Sequence, residues 1–311
     1  MARVLSTAFC VALLAATAMA FALTEGAKTE LSPIYRTKIS HVFSPTCNLR
    51  QCKTNVANID FSLRRKQHLR VWVEQNGQPV ATIVAGKTFA KGPVRLKFAG
   101  LADDGVTILP DGIYYAVISL TSEHRVITLP NRIWLDTTRP QVLKFRKHVY
   151  THISPDGDHR HDVFREAYTL STPGHGVLLV NDHQAEFTHQ LKLHGSLSWG
   201  GLIDGKLARP GRYVLYIAAQ DAAGNRSKPF PFAVVTIRYV VLGRKTISVA
   251  PLHRFSLFVL TDAKDVSWLL DRGHGRSRSH TLRLRAPRKP GRYSLYVTAS
   301  GHTATATVVV G

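Results

Sequence analysis

Three cysteines in 311 residues are too few to staple a disulfide-dense scaffold. Acidic residues are scarce as well: 20 Asp+Glu stand against 41 Lys+Arg, a formal net charge of +21. Past the N-terminus the chain lacks any apolar run long enough for a membrane span, which excludes a multi-span protein. Long amphipathic helical stretches are missing too, and so are the commonest catalytic signatures. No His-Glu-x-x-His, Gly-x-Ser-x-Gly or phosphate-binding loop occurs. Gly195-Ser196-Leu197-Ser198-Trp199-Gly200 looks like a nucleophile elbow only superficially, because Ser196 stands at the first Gly position. What remains is ordinary globular composition, 44% hydrophobic with 22 Gly and 15 Pro, and a length suited to two or three domains.

Residues 4–23 carry no charge and follow Arg3. Two readings compete for this N-terminal hydrophobic helix. As a signal peptide it offers small-residue cleavage sites at Ala18-Met19-Ala20 and Ala20-Phe21-Ala22. As an uncleaved anchor it spans the membrane once, with Arg3 on the cytoplasmic side. Cys10 lies inside the run without the small residues of a lipoprotein signal. Either way the rest of the chain is expected outside the cytoplasm, membrane-anchored or secreted. In that oxidising compartment Cys47 and Cys52, five residues apart, are expected to form a disulfide. Two free thiols or a metal site are the alternatives, and only His41 is near enough in sequence to join them as a ligand.

The exported part alternates with period two. Short runs such as VRLKFAG, GIYYAVISL, RYVLYIAAQ and RYSLYVTAS are separated by Gly, Pro, Asn and Asp turns. The expected class is therefore all-β. Pro110-Asp111-Gly112-Ile113-Tyr114 recurs as Pro210-Gly211-Arg212-Tyr213 and as Pro290-Gly291-Arg292-Tyr293. Upstream, Phe98-Ala99-Gly100 matches Trp199-Gly200-Gly201, and Phe43-Ser44-Pro45 matches Ile153-Ser154-Pro155. Matches in the same order, about 100–110 residues apart between the first two copies and 80 from the second to the third, mark tandem copies of a single module.

These motifs, with Asp221-Ala222-Ala223-Gly224-Asn225, resemble bacterial Ig-like sandwich domains. The nearest type is the Ig-like domain of the flagellar hook-capping protein, which occurs in many exported proteins. The resemblance implies tandem Ig-like β-sandwiches and a module, not flagellar assembly. It divides the chain into 1–23 (signal or anchor), 24–39 (linker), 40–139 and 140–240 (two sandwiches) and 241–311 (a shorter basic third). Leu135-Asp136-Thr137-Thr138-Arg139-Pro140 resembles the linker found between such modules, its Pro stiffening the joint.

Two candidate sites stand out. Asp156, Asp158 and Asp162, with His159 and His161 among them, place oxygens and imidazoles where calcium or zinc is conceivable. The plainer reading is a turn whose Asp side chains cap backbone amides. Eight of the 15 histidines fall between His148 and His194, mostly as loop histidines of a basic protein. The second candidate is Arg272, Arg276, Arg278, Arg283, Arg285, Arg288, Lys289 and Arg292. Such density attracts polyanions. Outside the cell these are wall polymers and lipid head groups; nucleic acid fits less well, because stacking aromatics are not interleaved. Solvated surface charge is the alternative.

The expected function is non-enzymatic: a structural or binding protein of the cell envelope that contacts anionic polymers or envelope proteins. Alternatives are an exported metal-dependent hydrolase using the His-rich middle domain, and an assembly factor docking by strand addition.

Overall fold

The computed structural model describes residues 11–21, 31–47, 49 and 52–311. Among the described residues a helix covers residues 11–21 and a single 3-10 turn covers Thr121–Glu123; the other regular elements are strands. Among the described residues no helix is long and apolar enough to cross a membrane. Residues 4–10 and 22–23 of the apolar run lie outside them. The chain is all-β, a tandem of Ig-like sandwiches. It divides into two compact units, Met1–Pro45 with Lys53–Asp136, and Thr46–Cys52 with Thr137–Gly311. Cys47 and Cys52 are joined in a disulfide.

In the first unit a three-stranded sheet (Ile34–Ile39, Ala57–Leu63, Gly92–Phe98) belongs with a five-stranded one. The latter runs Val42–Phe43, Arg125–Leu135, Gly112–Leu120, Gln67–Gln75, Gln78–Phe89. Alternation puts Ile59, Phe61 and Leu63 of one sheet into the same core as Leu69, Val71, Tyr114 and Ile133 of the other. Each such side chain contributes about 1.5–3 kcal/mol by leaving water. Residues 34–39, expected in a linker, are instead an edge strand that buries Ile34 and Ile39. A register shift between Tyr35 and Lys38, with Arg36 at φ 53°, interrupts the alternation that would have revealed it.

The second unit holds two cores. In its first sandwich the 17-residue strand Phe164–Val180 serves both sheets: its first part pairs with Lys192–Trp199, and His175 to Val180 pair with Gly211–Gln220. Its second sandwich has a three-stranded sheet (Val241–Leu242, Arg254–Leu260, Thr281–Arg285) and a five-stranded one. The five-stranded order is Thr246–Val249, His302–Val310, Gly291–Ala299, Val266–Leu270, Gly273–Ser277. The diverged third copy thus closes a sandwich of its own.

The sequence repeats acquire physical meaning here. In every copy the repeated Tyr hydroxyl donates to the carbonyl four residues back: Tyr114 to Pro110 (2.5 Å), Tyr213 to Arg209 (2.7 Å) and Tyr293 to Lys289 (2.9 Å). This is the tyrosine-corner device that pins a turn to the strand it feeds. Tyr293→Phe is expected to lower the stability of the third sandwich by about 0.5–1.5 kcal/mol in urea unfolding. Tyr296→Phe, on the exposed face of the same strand, is the control and should change little. The two upstream repeats are one contact. Gly100 and Gly201 take left-handed conformations (φ 75° and 78°), and a Cβ on them would meet the Cγ of Pro45 and Pro155.

Candidate functional site

Residues 154–162 form a self-capped turn. Asp162 is its hub: one carboxylate oxygen accepts the amides of Asp156 and Gly157, each at 3.1 Å, and the other accepts that of His159 at 2.8 Å. Asp156 accepts from the Asp158 amide at 3.2 Å, and Asp158 from the Arg160 amide at 2.8 Å. The three carboxylates come within 4.8 Å of one another. Such an all-oxygen set has the chemistry for a hard cation rather than zinc, yet its oxygens already hold the turn together.

The histidines do not join it. His159 and His161 sit at left-handed positions (φ 67° and 50°), a conformation His tolerates better than most residues. The His161 ring turns away to Asp262, 3.4 Å distant, and stacks on His152 at 5.2 Å. Elsewhere His175 lies against Phe187, His183 pairs with Asp204 at 2.9 Å, and His194 bonds Thr169 at 3.0 Å. Apart from the His152–His161 stack, these imidazoles of the middle domain make separate contacts.

Asp262 marks the joint between the second and third sandwiches. The Ser154 hydroxyl, 1% exposed as a residue, donates to its carboxylate, and Arg160 donates to its carbonyl at 3.3 Å. Its other carboxylate oxygen is buried without a partner among the described residues. His152, Arg160, His161, Asp262, Lys264 and His280 line a shallow cavity of about 650 Å³ there. Burial, then Arg238 and His161, hold the His152 imidazole below its ordinary value, against the pull of Asp262. Nearby, Tyr239 and His302 stack flat, 3.4 Å between centroids.

The eight candidate basic residues of the third sandwich are all exposed but do not share one face. Arg272 follows Val266–Leu270, Arg276 lies in Gly273–Ser277, and Arg292 lies in Gly291–Ala299, all belonging to the five-stranded sheet. Arg278, Arg288 and Lys289 lie in loops. Arg283 and Arg285 point outward from the three-stranded sheet, and Arg254 stands directly opposite Arg285. Like charges placed across a strand pair repel, and no carboxylate pairs with any of the three among the described residues. They line a groove of about 570 Å³ with Phe255, Ser256 and Leu284. Arg254 was missed by sequence reasoning, since it lies about thirty residues from Arg285 and only strand register brings them together.

No protein-family model and no curated protein matches the chain. Among solved structures, fibronectin(III)-like modules of Clostridium thermocellum CbhA are 13% identical, covering 67% of this chain and 92% of theirs at a TM-score of 0.34. The I9–I11 tandem of titin is 12% identical, with 88% and 98% covered at 0.33. A Bacteroides ovatus protein, SGBP-B of a mixed-linkage glucan utilization locus, solved with a heptasaccharide, is 11% identical, with 91% and 69% covered at 0.21. Superpositions this loose carry no functional argument.

Proposed function

We propose that this chain is a non-enzymatic, extracytoplasmic protein of tandem sandwiches that binds anionic envelope polymers through its third sandwich. The observation that carries the reading is the trio Arg254, Arg283 and Arg285, which no carboxylate pairs among the described residues and of which Arg285 donates to the Leu252 carbonyl at 2.8 Å, with Arg254 and Arg285 directly opposed on one outward sheet face. A site of mutually repelling cations is relieved by a bound polyanion. The Cys47–Cys52 disulfide and the uncharged N-terminal run support a place outside the cytoplasm. The metal-hydrolase alternative has no converging donor set of histidines among the described residues.

The test is sedimentation of the chain with purified cell envelope across a salt series. Binding is expected to fall with salt and to drop about tenfold when Arg254, Arg283 and Arg285 become Gln. Equal binding by the variant would overturn the reading and direct attention to sheet edges and protein partners.

A further inference from the structure

The outward face of the five-stranded sheet in the first sandwich carries aromatics that its fold does not require. Along Gln67–Gln75 the residues Leu69, Val71 and Val73 point inward, so Arg70, Trp72 and Glu74 point out. Tyr114, Ala116 and Ile118 of the next strand are buried in the core, which turns Ile113, Tyr115 and Val117 to the other face, where Ile113 and Tyr115 are exposed and Val117 is covered, at 1% exposure. On the third strand Ile133 and Leu135 are buried, leaving Arg132 and Trp134 outside.

Register then fixes a line. Trp72 stands opposite Val117 and Glu74 opposite Tyr115; Tyr115 stands opposite Arg132 and Ile113 opposite Trp134. Trp72, Tyr115 and Trp134 are therefore successive diagonal neighbours across three adjacent strands, each step about 7–8 Å. The Trp72 indole N–H donates to Glu74 at 2.7 Å, and the Arg70 guanidinium lies 5.7 Å from its ring centre. Tyr115 and Trp134 are 37% and 51% exposed, and Ile113 between them is 42% exposed.

The sister copies show that the sandwich closes without these rings. At the register of Tyr115 and Trp134 the second sandwich has Val214 and Thr236, and the third has Ser294 and Val309. The aromatic diagonal belongs to the first copy alone. Two cations flank it: Arg132 lies beside Tyr115 and Arg70 at the Trp72 end, and neither is in an ion pair among the described residues. One carboxylate, Glu74, stands opposite Tyr115 and accepts from the neutral Trp72 indole, so the face carries two cations to one anion.

We propose that this face binds an extended acidic polysaccharide. Sugar rings present apolar C–H faces that stack on exposed aromatic rings, while a sugar carboxylate meets a guanidinium as a charge-assisted hydrogen-bond acceptor. Two diagonal steps of about 7–8 Å give a platform several sugars long. The platform is separate from the arginine trio of the third sandwich. It shares with the functional reading above only the extracytoplasmic setting in which such polymers are met.

The test is affinity electrophoresis of the full chain in gels containing polygalacturonate or, in parallel, neutral dextran. Polygalacturonate is expected to retard the wild type and dextran is not. Trp134→Ala and Tyr115→Ala should each weaken retardation about tenfold or more, and Arg132→Gln should weaken it and flatten its salt dependence. The double variant Tyr115→Val with Trp134→Thr, which installs the second copy's residues, guards against loss from misfolding and should be weakened as much as the alanine variants, down to the retardation that the arginine trio supplies. The Arg254, Arg283 and Arg285 variant should keep it, so failure of one site is told apart from failure of the other. Unaltered retardation in the aromatic variants, none in the wild type, or equal retardation by dextran would overturn the proposal. So would a shift from dimer to monomer in Trp134→Ala at unchanged polysaccharide affinity, which would make this face a contact between copies.

Discussion

Gly100→Ala is expected to destabilise the first sandwich by about 2–4 kcal/mol, from left-handed strain plus overpacking. The new Cβ would stand 2.5 Å from Pro45 Cγ, 2.9 Å from Leu135 Cδ1 and 3.1 Å from a Phe43 ring carbon. Those neighbours are themselves fixed, since Phe43 and Leu135 are fully buried and paired in parallel register at the strand ends. Gly77 separates the two causes. It too is left-handed (φ 75°) but has nothing within 4 Å of a Cβ, so Gly77→Ala should cost only about 1–2 kcal/mol of strain. Urea unfolding of both variants decides the matter, and equal losses would show that the Pro45 contact is not the source.

Asp262→Ala should uncouple the second and third sandwiches at a cost of about 1–3 kcal/mol. The change strands the buried Ser154 hydroxyl and removes the partner of His161. Calorimetry should show the transition of the second unit splitting in two; one unsplit transition at the original temperature would refute a joint centred on Asp262. The joint should also respond to acid. His152 is held below its ordinary value in the folded state, so the unfolded chain takes up the proton more readily. Stability is therefore fully present above the ordinary imidazole value of about 6.5 and declines as pH falls from there toward the depressed folded value. His152→Gln should flatten that decline.

Much of this architecture was legible in the sequence because it is built from locally encoded devices. Pro-Gly-x-Tyr places a turn, an aromatic and a strand within a few residues, and the structure adds only the hydroxyl bond that makes Tyr necessary. The Ser-Pro and aromatic-x-Gly repeats were visible as repeats, but their meeting at Pro45 and Gly100 is a contact between distant segments that spacing does not encode. The strand Ile34–Ile39 escaped because its bulge leaves apolar residues only near the ends.

Among the candidate sites, the aspartate turn caps its own amides, as the plainer of its two readings expects, and the ring of His161 inside it faces Asp262 and His152 instead. The arginine trio and the aromatic diagonal both needed register. A slip of one residue in either pairing would turn the side chains to the opposite face, and bulges such as that between Tyr115 and Val117 cannot be placed from composition.

In each sandwich the short strand near the start runs parallel to the last strand: Val42–Phe43 beside Arg125–Leu135, Val149–Ile153 beside Phe230–Ile237, Thr246–Val249 beside His302–Val310. Tension drawn through the chain would load such a pair in shear, with all of its hydrogen bonds resisting together instead of opening one after another. The first pair aligns two residues, the second five and the third four. Under pulling, this clamp is weakest in the sandwich that carries the aromatic platform, so a load would slacken that module while the other two still held.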